Sequence, residues 1–285
     1  MNVVTILKRR ASDRPVGTFL GVLVMYSAAI TAAIYTLLEG ASPILRVTIY
    51  AWGPMISAGI TVWLLNESVR DWLGQLRNLK VNPRWYVVGI GIMMIGTEFE
   101  TIIGLISGAD VTVPAAPPMA YIRNFLITFF IAGALEELGW RGFLQPRLQQ
   151  QFTALWTSVG IGALWGLWHV PMILAGLGDF TVFWEYMLNI IVMSIILGWL
   201  YNSTNAALPV VMVTHASHNM PPIGSPTGNI PGIFNALSGD AIFYVLCASL
   251  ITVYAGSQTL TRDGTLPTVP GQLKAHLPVS GRSAE

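Results

Sequence analysis

The sequence predicts an all-α, polytopic transmembrane helical bundle. Hydrophobic residues make up 53% of the 285, with a mean hydropathy of +0.60, and only 10% are charged. Apolar stretches of roughly twenty residues recur along the chain, about the length a helix needs to cross ~30 Å of hydrocarbon. Eight such stretches define about eight membrane helices. The first, residues 16–38, follows Lys8, Arg9, Arg10 and Arg14 and is too long for the core of a secretory leader, so it reads as a retained span. Residues 48–65, 85–106, 125–144, 156–177 and 183–201 follow. The seventh, 206–218, is short, which is tolerated where a helix is buried in protein or lines a wet cavity. The eighth is 233–255. Gly160, Gly162, Gly166 and Pro171 inside the fifth permit close packing and kinks. Residues 221–231, rich in proline, read as a stiff connection. Residues 1–255 form a single integral membrane domain on this reading. The Thr-, Gly-, Pro- and Ser-rich residues 256–285 form a disordered cytoplasmic tail.

Lys and Arg set the expected orientation. With the N-terminus inside, Arg70, Arg77, Lys80, Arg84, Arg141, Arg147, Arg262, Lys274 and Arg282 join the four N-terminal cations inside, and Arg46 and Arg123 lie outside. Thirteen against two places both termini in the cytoplasm and the protein in the cytoplasmic membrane. A net charge of +1 gives no footprint for a nucleic-acid partner. The single cysteine, Cys247, supports neither a disulfide framework nor a Cys-based metal site.

Charged groups at membrane depth are costly, ~2.5–3.5 kcal/mol each at a helix centre on insertion scales, so those that persist are paired, wetted or used. The fourth span carries Glu136-Glu137-Leu-Gly-Trp-Arg141. Glu137 and Arg141 are four apart, share a helix face and neutralise one another. Glu136 points elsewhere and has no sequence-local cation, which suits a general base acting on water. The fifth span carries Trp165 and His169, again four apart, so an aromatic ring packs beside an imidazole. The seventh ends Thr214-His215-Ala-Ser-His218-Asn219, with His215 and Asn219 on one face as possible donors to a developing oxyanion. The remaining histidine, His276, is in the tail. Taken singly, each feature has a plain reading: a neutralised pair that fixes packing, a snorkelling carboxylate, or a hydrogen-bonded core histidine.

Together, Glu-Glu-x-x-x-Arg, aromatic-x-x-x-His and His-x-x-x-Asn on successive membrane helices resemble the CPBP (CAAX protease and bacteriocin-processing, or Abi) family, whose relatives include the type II CAAX prenyl endopeptidases. The resemblance spans residues 125–219. It implies an intramembrane endopeptidase in which Glu136 and His169 activate a water, His215 and Asn219 form an oxyanion hole, and Glu137 and Arg141 support the site. Trp165 stands where Phe is common in the family, and His218 is additional. Trp165, His218, Glu98 and Glu100 are candidates for a supporting shell, the last two because intramembrane acids are functional candidates. The implied partners are a bilayer and a membrane-protein or lipidated-peptide substrate, and no cofactor is expected.

Three alternatives stand beside this reading. A zinc protease would use Glu136, His169 and His215 as ligands, although no H-E-x-x-H is present. A non-enzymatic bacteriocin-immunity or scaffold protein would bind a partner. A proton-coupled transporter would relay through Glu98, Glu100 and Glu136, but the chain shows no inverted repeat. Arg141 and Arg147, read as markers of the inner interface, lead us to expect that the site opens toward the cytoplasm.

Overall fold

The computed structural model describes residues 3–177, 182–228 and 230–269. An N-terminal helix, α1 (Val3–Asp13), leads into α2 (Pro15–Thr36). Next come α3 (Pro43–Ala51) and α4 (Gly53–Leu64), which hinge at Trp52 and together make one crossing length. Ser42 accepts from the Leu45 amide and Ser68 from the Asp71 amide, starting α3 and the short α5 (Val69–Gly74). Helix α6 (Arg84–Ile106) is followed by α7 (Pro118–Phe130), α8 (Glu137–Gly139) and α9 (Gln145–Leu148), the last three being pieces of one segment. Then come α10 (Ala154–Leu174), α11 (Phe183–Ser203), α12 (Leu208–His218) and α13 (Gly239–Ala255). Thr153 caps α10 by accepting from the Trp156 amide. A two-stranded antiparallel ribbon, β1 (Asp110–Thr112) with β2 (Ser225–Thr227), clips two connections together at one end.

The all-helical membrane architecture agrees with the sequence, and the count of eight crossings is not confirmed. Among the described residues, six segments are long and apolar enough to cross: α2, α3–α4, α6, 118–148, α10 and α11. The other two expected spans are helical but have 11 and 17 residues. At a helical rise of 1.5 Å these reach only about 16 and 25 Å. Helix α12 tolerates its shortness because it is the buried centre of the bundle. Leu208 to Met212 and Thr214 to Ser217 are enclosed, and the helix packs against α6, α7 and α11. Gly89 permits this approach, since a Cβ there would lie 2.0 Å from Thr214 Oγ1.

Lipid tails are as apolar as leucine, so such helices are held by close packing and by polar links worth about 0.6 kcal/mol each on average. One end of the bundle concentrates these links. Tyr201 donates to Gln75 Oε1 (2.9 Å) and Gln75 donates to the Gly142 carbonyl (3.0 Å). Gln145 donates to Asn202 Oδ1 (2.9 Å), and Asn202 donates to the Thr259 carbonyl (2.7 Å). The last bond anchors part of the expected tail. Residues 256–269 run along the bundle: their carbonyls at Ser257 and Gln258 accept the first amides of α10, and Leu260 and Val269 are buried. Composition marks these residues as tail, but backbone acceptors offered to an open helix N-terminus hold them. Residues 270–285, His276 among them, lie outside the described residues, as does Asn229 of the proline-rich connection.

Candidate active site

The segment 118–148 is not the continuous helix expected over 125–144. Helix α7 ends at Phe130, and Gly133 adopts φ +72°, a backbone region that favours glycine. A 3₁₀ turn (Ala134–Glu136), the single turn α8 and a π-helical turn (Trp140–Leu144) then carry the chain to α9. Such bulges in helices are frequent at functional sites. Here the change of winding sends Glu136 and Glu137 in different directions, with both carboxylates buried.

Glu137 faces Arg141 and α12. Arg141 Nη1 lies 2.9 Å from Glu137 Oε2 and 3.1 Å from Oε1, and Nη2 donates to Ser194 Oγ (2.9 Å). Ser194 passes its own proton to the Ser158 carbonyl (2.7 Å), which fixes the hydroxyl as an acceptor for the guanidinium. His215 Nδ1 stands 2.7 Å from Glu137 Oε1. A carboxylate only accepts, so Nδ1 carries the hydrogen and Nε2 is the free position.

Glu136 turns the other way. Its Oε2 accepts the indole N–H of Trp165 at 2.7 Å. Trp165 sits among the reacting candidates, with ring centroids 5.2 Å from His215 and 5.9 Å from His169, and the Arg141 guanidinium 5.1 Å over its face. His169 Nδ1 is 2.9 Å from the Trp165 carbonyl, so Nδ1 donates and Nε2 again remains free. One cavity of about 450 Å³ is lined by Glu136, Trp165, His169, His215, His218 and Asn219. These belong to three chain segments up to 83 residues apart (219 − 136).

Two of the expected supporting residues lie elsewhere. Glu98 accepts from the Ile223 and Gly224 amides and so holds the connection that follows α12. Glu100 packs its backbone against Gly239. Neither lines the cavity. His218 does line it; Tyr244 gives its proton to the Met93 carbonyl (3.0 Å), so His218 Nδ1 donates to the Tyr244 oxygen (3.2 Å). The expected opening toward the Arg141–Arg147 side is also revised. Arg141 is completely buried, so it does not mark an interface. His169 is 15 residues from the start of α10 and 5 from its end, about 22 and 8 Å, so the cavity lies nearer the opposite end of the bundle.

Gly133 is the site residue that motif reading missed. A Cβ built on it would stand 3.3 Å from His215 Nε2 and 3.6 Å from Asn219 Nδ2. The two expected donors therefore converge on space that only a glycine leaves open. The sequence signal was a glycine three residues before an intramembrane acid. The indole N–H of Trp165 was missed as well, because spacing predicted ring packing and not a hydrogen bond to Glu136.

The zinc alternative calls for Glu136, His169 and His215 as ligands. Among the described residues no three His, Cys, Asp or Glu side chains gather as a metal-ligand set. Of the proposed ligands, Glu136 Oε2 is engaged by Trp165, while His169 and His215 are engaged through Nδ1 and keep Nε2 open.

A helical bundle with spans of this kind, enclosing carboxylates, imidazoles and a carboxamide, is an integral membrane protein with a buried polar site. Residues 118–221 match the family described as type II CAAX prenyl endopeptidase Rce1-like, and that segment holds all three motifs. The chain is also 24% identical over 168 residues to the CAAX prenyl protease 2 of Methanococcus maripaludis, covering 54% of this chain and 62% of that protein. The chain thus spans less than two thirds of that relative's length. Both findings bear out the family resemblance read from the motifs.

Proposed function

We propose that this protein is an intramembrane endopeptidase that hydrolyses a peptide bond of a membrane-associated substrate, of the lipidated, CAAX-like class, with water polarised by Glu136 and His169. The observation that carries the reading is the convergence of Glu136, His169, His215 and Asn219 on one cavity, with Gly133 leaving room where the donors meet. Trp165 holds one oxygen of Glu136. His169, whose Nδ1 donates to the Trp165 carbonyl, takes part through Nε2 as the neutral imidazole. The attacking water gives its proton to this pair, and a hydroxide equivalent adds to the scissile carbonyl carbon.

The carbonyl oxygen gains charge as the tetrahedral intermediate forms. Asn219 Nδ2 and His215 Nε2 are the donors. His215 donates at Nε2 only as an imidazolium, since Nδ1–H is already given to Glu137. Arg141 in turn compensates Glu137. The proton taken from water then passes to the departing amine. No step in this scheme needs a metal; retention of full activity after exhaustive chelation is expected, and loss that zinc restores favours the metallo-type alternative.

The orientation belongs to the same proposal: both termini in the cytoplasm and the Arg147 connection inside. Substrates are sought by comparing membrane proteomes of cells carrying wild type or Glu136→Gln. Gln keeps the shape of the side chain but takes no proton. Peptides that appear only with wild type identify the cleaved bond. If the two proteomes are identical, or if Glu136→Gln cleaves an identified substrate within about tenfold of wild type, the base role is refuted.

A further inference from the structure

A second cavity, of about 610 Å³, lies at the other end of the bundle from the catalytic candidates. Three helix ends build it: Arg84 and Trp85 from the first turn of α6, Trp199 from the last turns of α11, and Tyr254 from the end of α13. The ordered stretch after α13 closes it with Arg262 and Asp263. Helix ends of this length place the cavity at the level where the bilayer core gives way to headgroups, and tryptophan and tyrosine are enriched there.

Its charge is unbalanced in one direction. The Arg84 guanidinium lies 5.3 Å over the Trp85 ring, and Arg262 lies 5.6 Å over Tyr254 with Nη1 3.2 Å from the phenol oxygen. Neither arginine has an ion-pair partner among the described residues. The one carboxylate in the lining, Asp263, accepts from the Thr265 amide (3.1 Å) and hydroxyl (2.9 Å) on its own loop. Two guanidiniums against one carboxylate leave a net positive site. Their planar forks match phosphate oxygens, and aromatic rings beneath them restrict their motion. The wall is apolar: Trp85 and Trp199 meet edge to face at 5.4 Å, and Val88, 37% exposed on α6, continues toward the lipid face.

We propose that this cavity binds the phosphate of an anionic phospholipid headgroup, with Arg84 and Arg262 on the phosphate and the glycerol and first methylenes against the tryptophans. The assignment is independent of the endopeptidase reading. It explains why the stretch 256–269 is held against the bundle, since Asn202 anchors Thr259 and thereby sets Arg262 over the cavity.

The test uses the full chain, purified in detergent, stripped of lipid, and then given phosphatidylglycerol, phosphatidylcholine or inorganic phosphate in separate arms. Native mass spectrometry reads retained lipid and a melting curve reads stabilisation. Phosphatidylglycerol should be retained over phosphatidylcholine and should raise the melting temperature. Basic residues near a membrane surface contribute about 1 kcal/mol each, so Arg84→Ala with Arg262→Ala should weaken retention about 30-fold. Arg77→Ala, an exposed arginine outside this cavity, should leave it unchanged. Both replaced arginines are exposed, so the lipid-free melting temperature should hold and separates lost binding from lost folding. Equal retention of the two lipids, unchanged retention in the double variant, or the same loss with Arg77→Ala overturns the proposal. Stabilisation by inorganic phosphate equal to that by phosphatidylglycerol overturns the lipid assignment in favour of a soluble phosphate.

Discussion

Replacing Trp165 with Phe isolates a single hydrogen bond. The indole N–H to Glu136 Oε2 is 2.7 Å long, and the two residues are 2% and 3% exposed. Phe retains most of the ring that packs on His169, His215 and Arg141, so the main loss is the donor. A hydrogen bond to a charged partner contributes about 1.5–3 kcal/mol. If that stabilisation serves to hold Glu136 in its reactive position, cleavage slows by about 10- to 150-fold at 1.36 kcal/mol per decade. The matched comparison is Trp168→Phe. Trp168, three residues on, also loses an indole N–H, but its partner is Ser27 Oγ at 2.9 Å, away from Glu136. That neutral bond contributes ~0.5–1.5 kcal/mol to stability, and the rate should stay near wild type. The assay is single-turnover cleavage of a substrate identified by the proteome comparison, with melting curves alongside. Activity of Trp165→Phe within about twofold of wild type, or equal slowing in both variants, would show that the indole does not position the base.

Three further outcomes follow from the same geometry. Glu137→Ala and Arg141→Ala should each destabilise the fold by roughly 3–5 kcal/mol by stranding a buried charge, and the double variant should cost clearly less than their sum; strict additivity in melting data would dissolve the pair. Gly133→Ala should abolish cleavage, because its Cβ would meet Thr128 Cγ2 at 2.7 Å and stand 3.3 Å from His215 Nε2, whereas Gly160→Ala, with open space around it, should be silent; an active Gly133→Ala protein would move the substrate carbonyl away from this point. In a Cys247→Ser background, cysteines at the exposed Ala115 and Gln151 report orientation to an impermeant thiol reagent on intact cells, with labelling at 115 alone expected. Gln145, at the start of α9, is unsuitable because it is completely buried against Gly198 and Asn202.

Much of this architecture was legible from residue type and spacing. Twenty-residue apolar runs locate helices because a bilayer leaves the backbone no other way to satisfy itself. Spacing of four brought Glu137 to Arg141 and Trp165 to His169, since those contacts are local. The gaps in the reading have a common cause. Gly133, the 3₁₀ turn and the π turn break the period on which face assignments rest: counting separates Glu136 from Glu137 but does not give the partners each one reaches. The contact from His215 to Glu137 spans 78 residues, and nothing in either motif announces it. Glu98 and Glu100 read as functional acids because depth alone was visible; the amides that Glu98 satisfies at Ile223 and Gly224 lie more than 120 positions away. Arg141 misled for a related reason, since a buried arginine and an interfacial one are the same letter.

The buried partners of Arg141 also impose an order of events during synthesis. When residues 118–148 leave the ribosome, Glu137 is the only one of them already made. Ser194 follows 53 residues after Arg141 and His215 follows 78 after Glu137. At ~5–20 residues per second the second interval lasts about 4–16 s. For that time the nascent segment carries an incompletely satisfied guanidinium and carboxylates through or beside the translocation channel. The polar centre therefore lacks His215 until α12 has been made. A chain truncated before Leu208 would retain all six described segments of crossing length and still lack the buried helix α12.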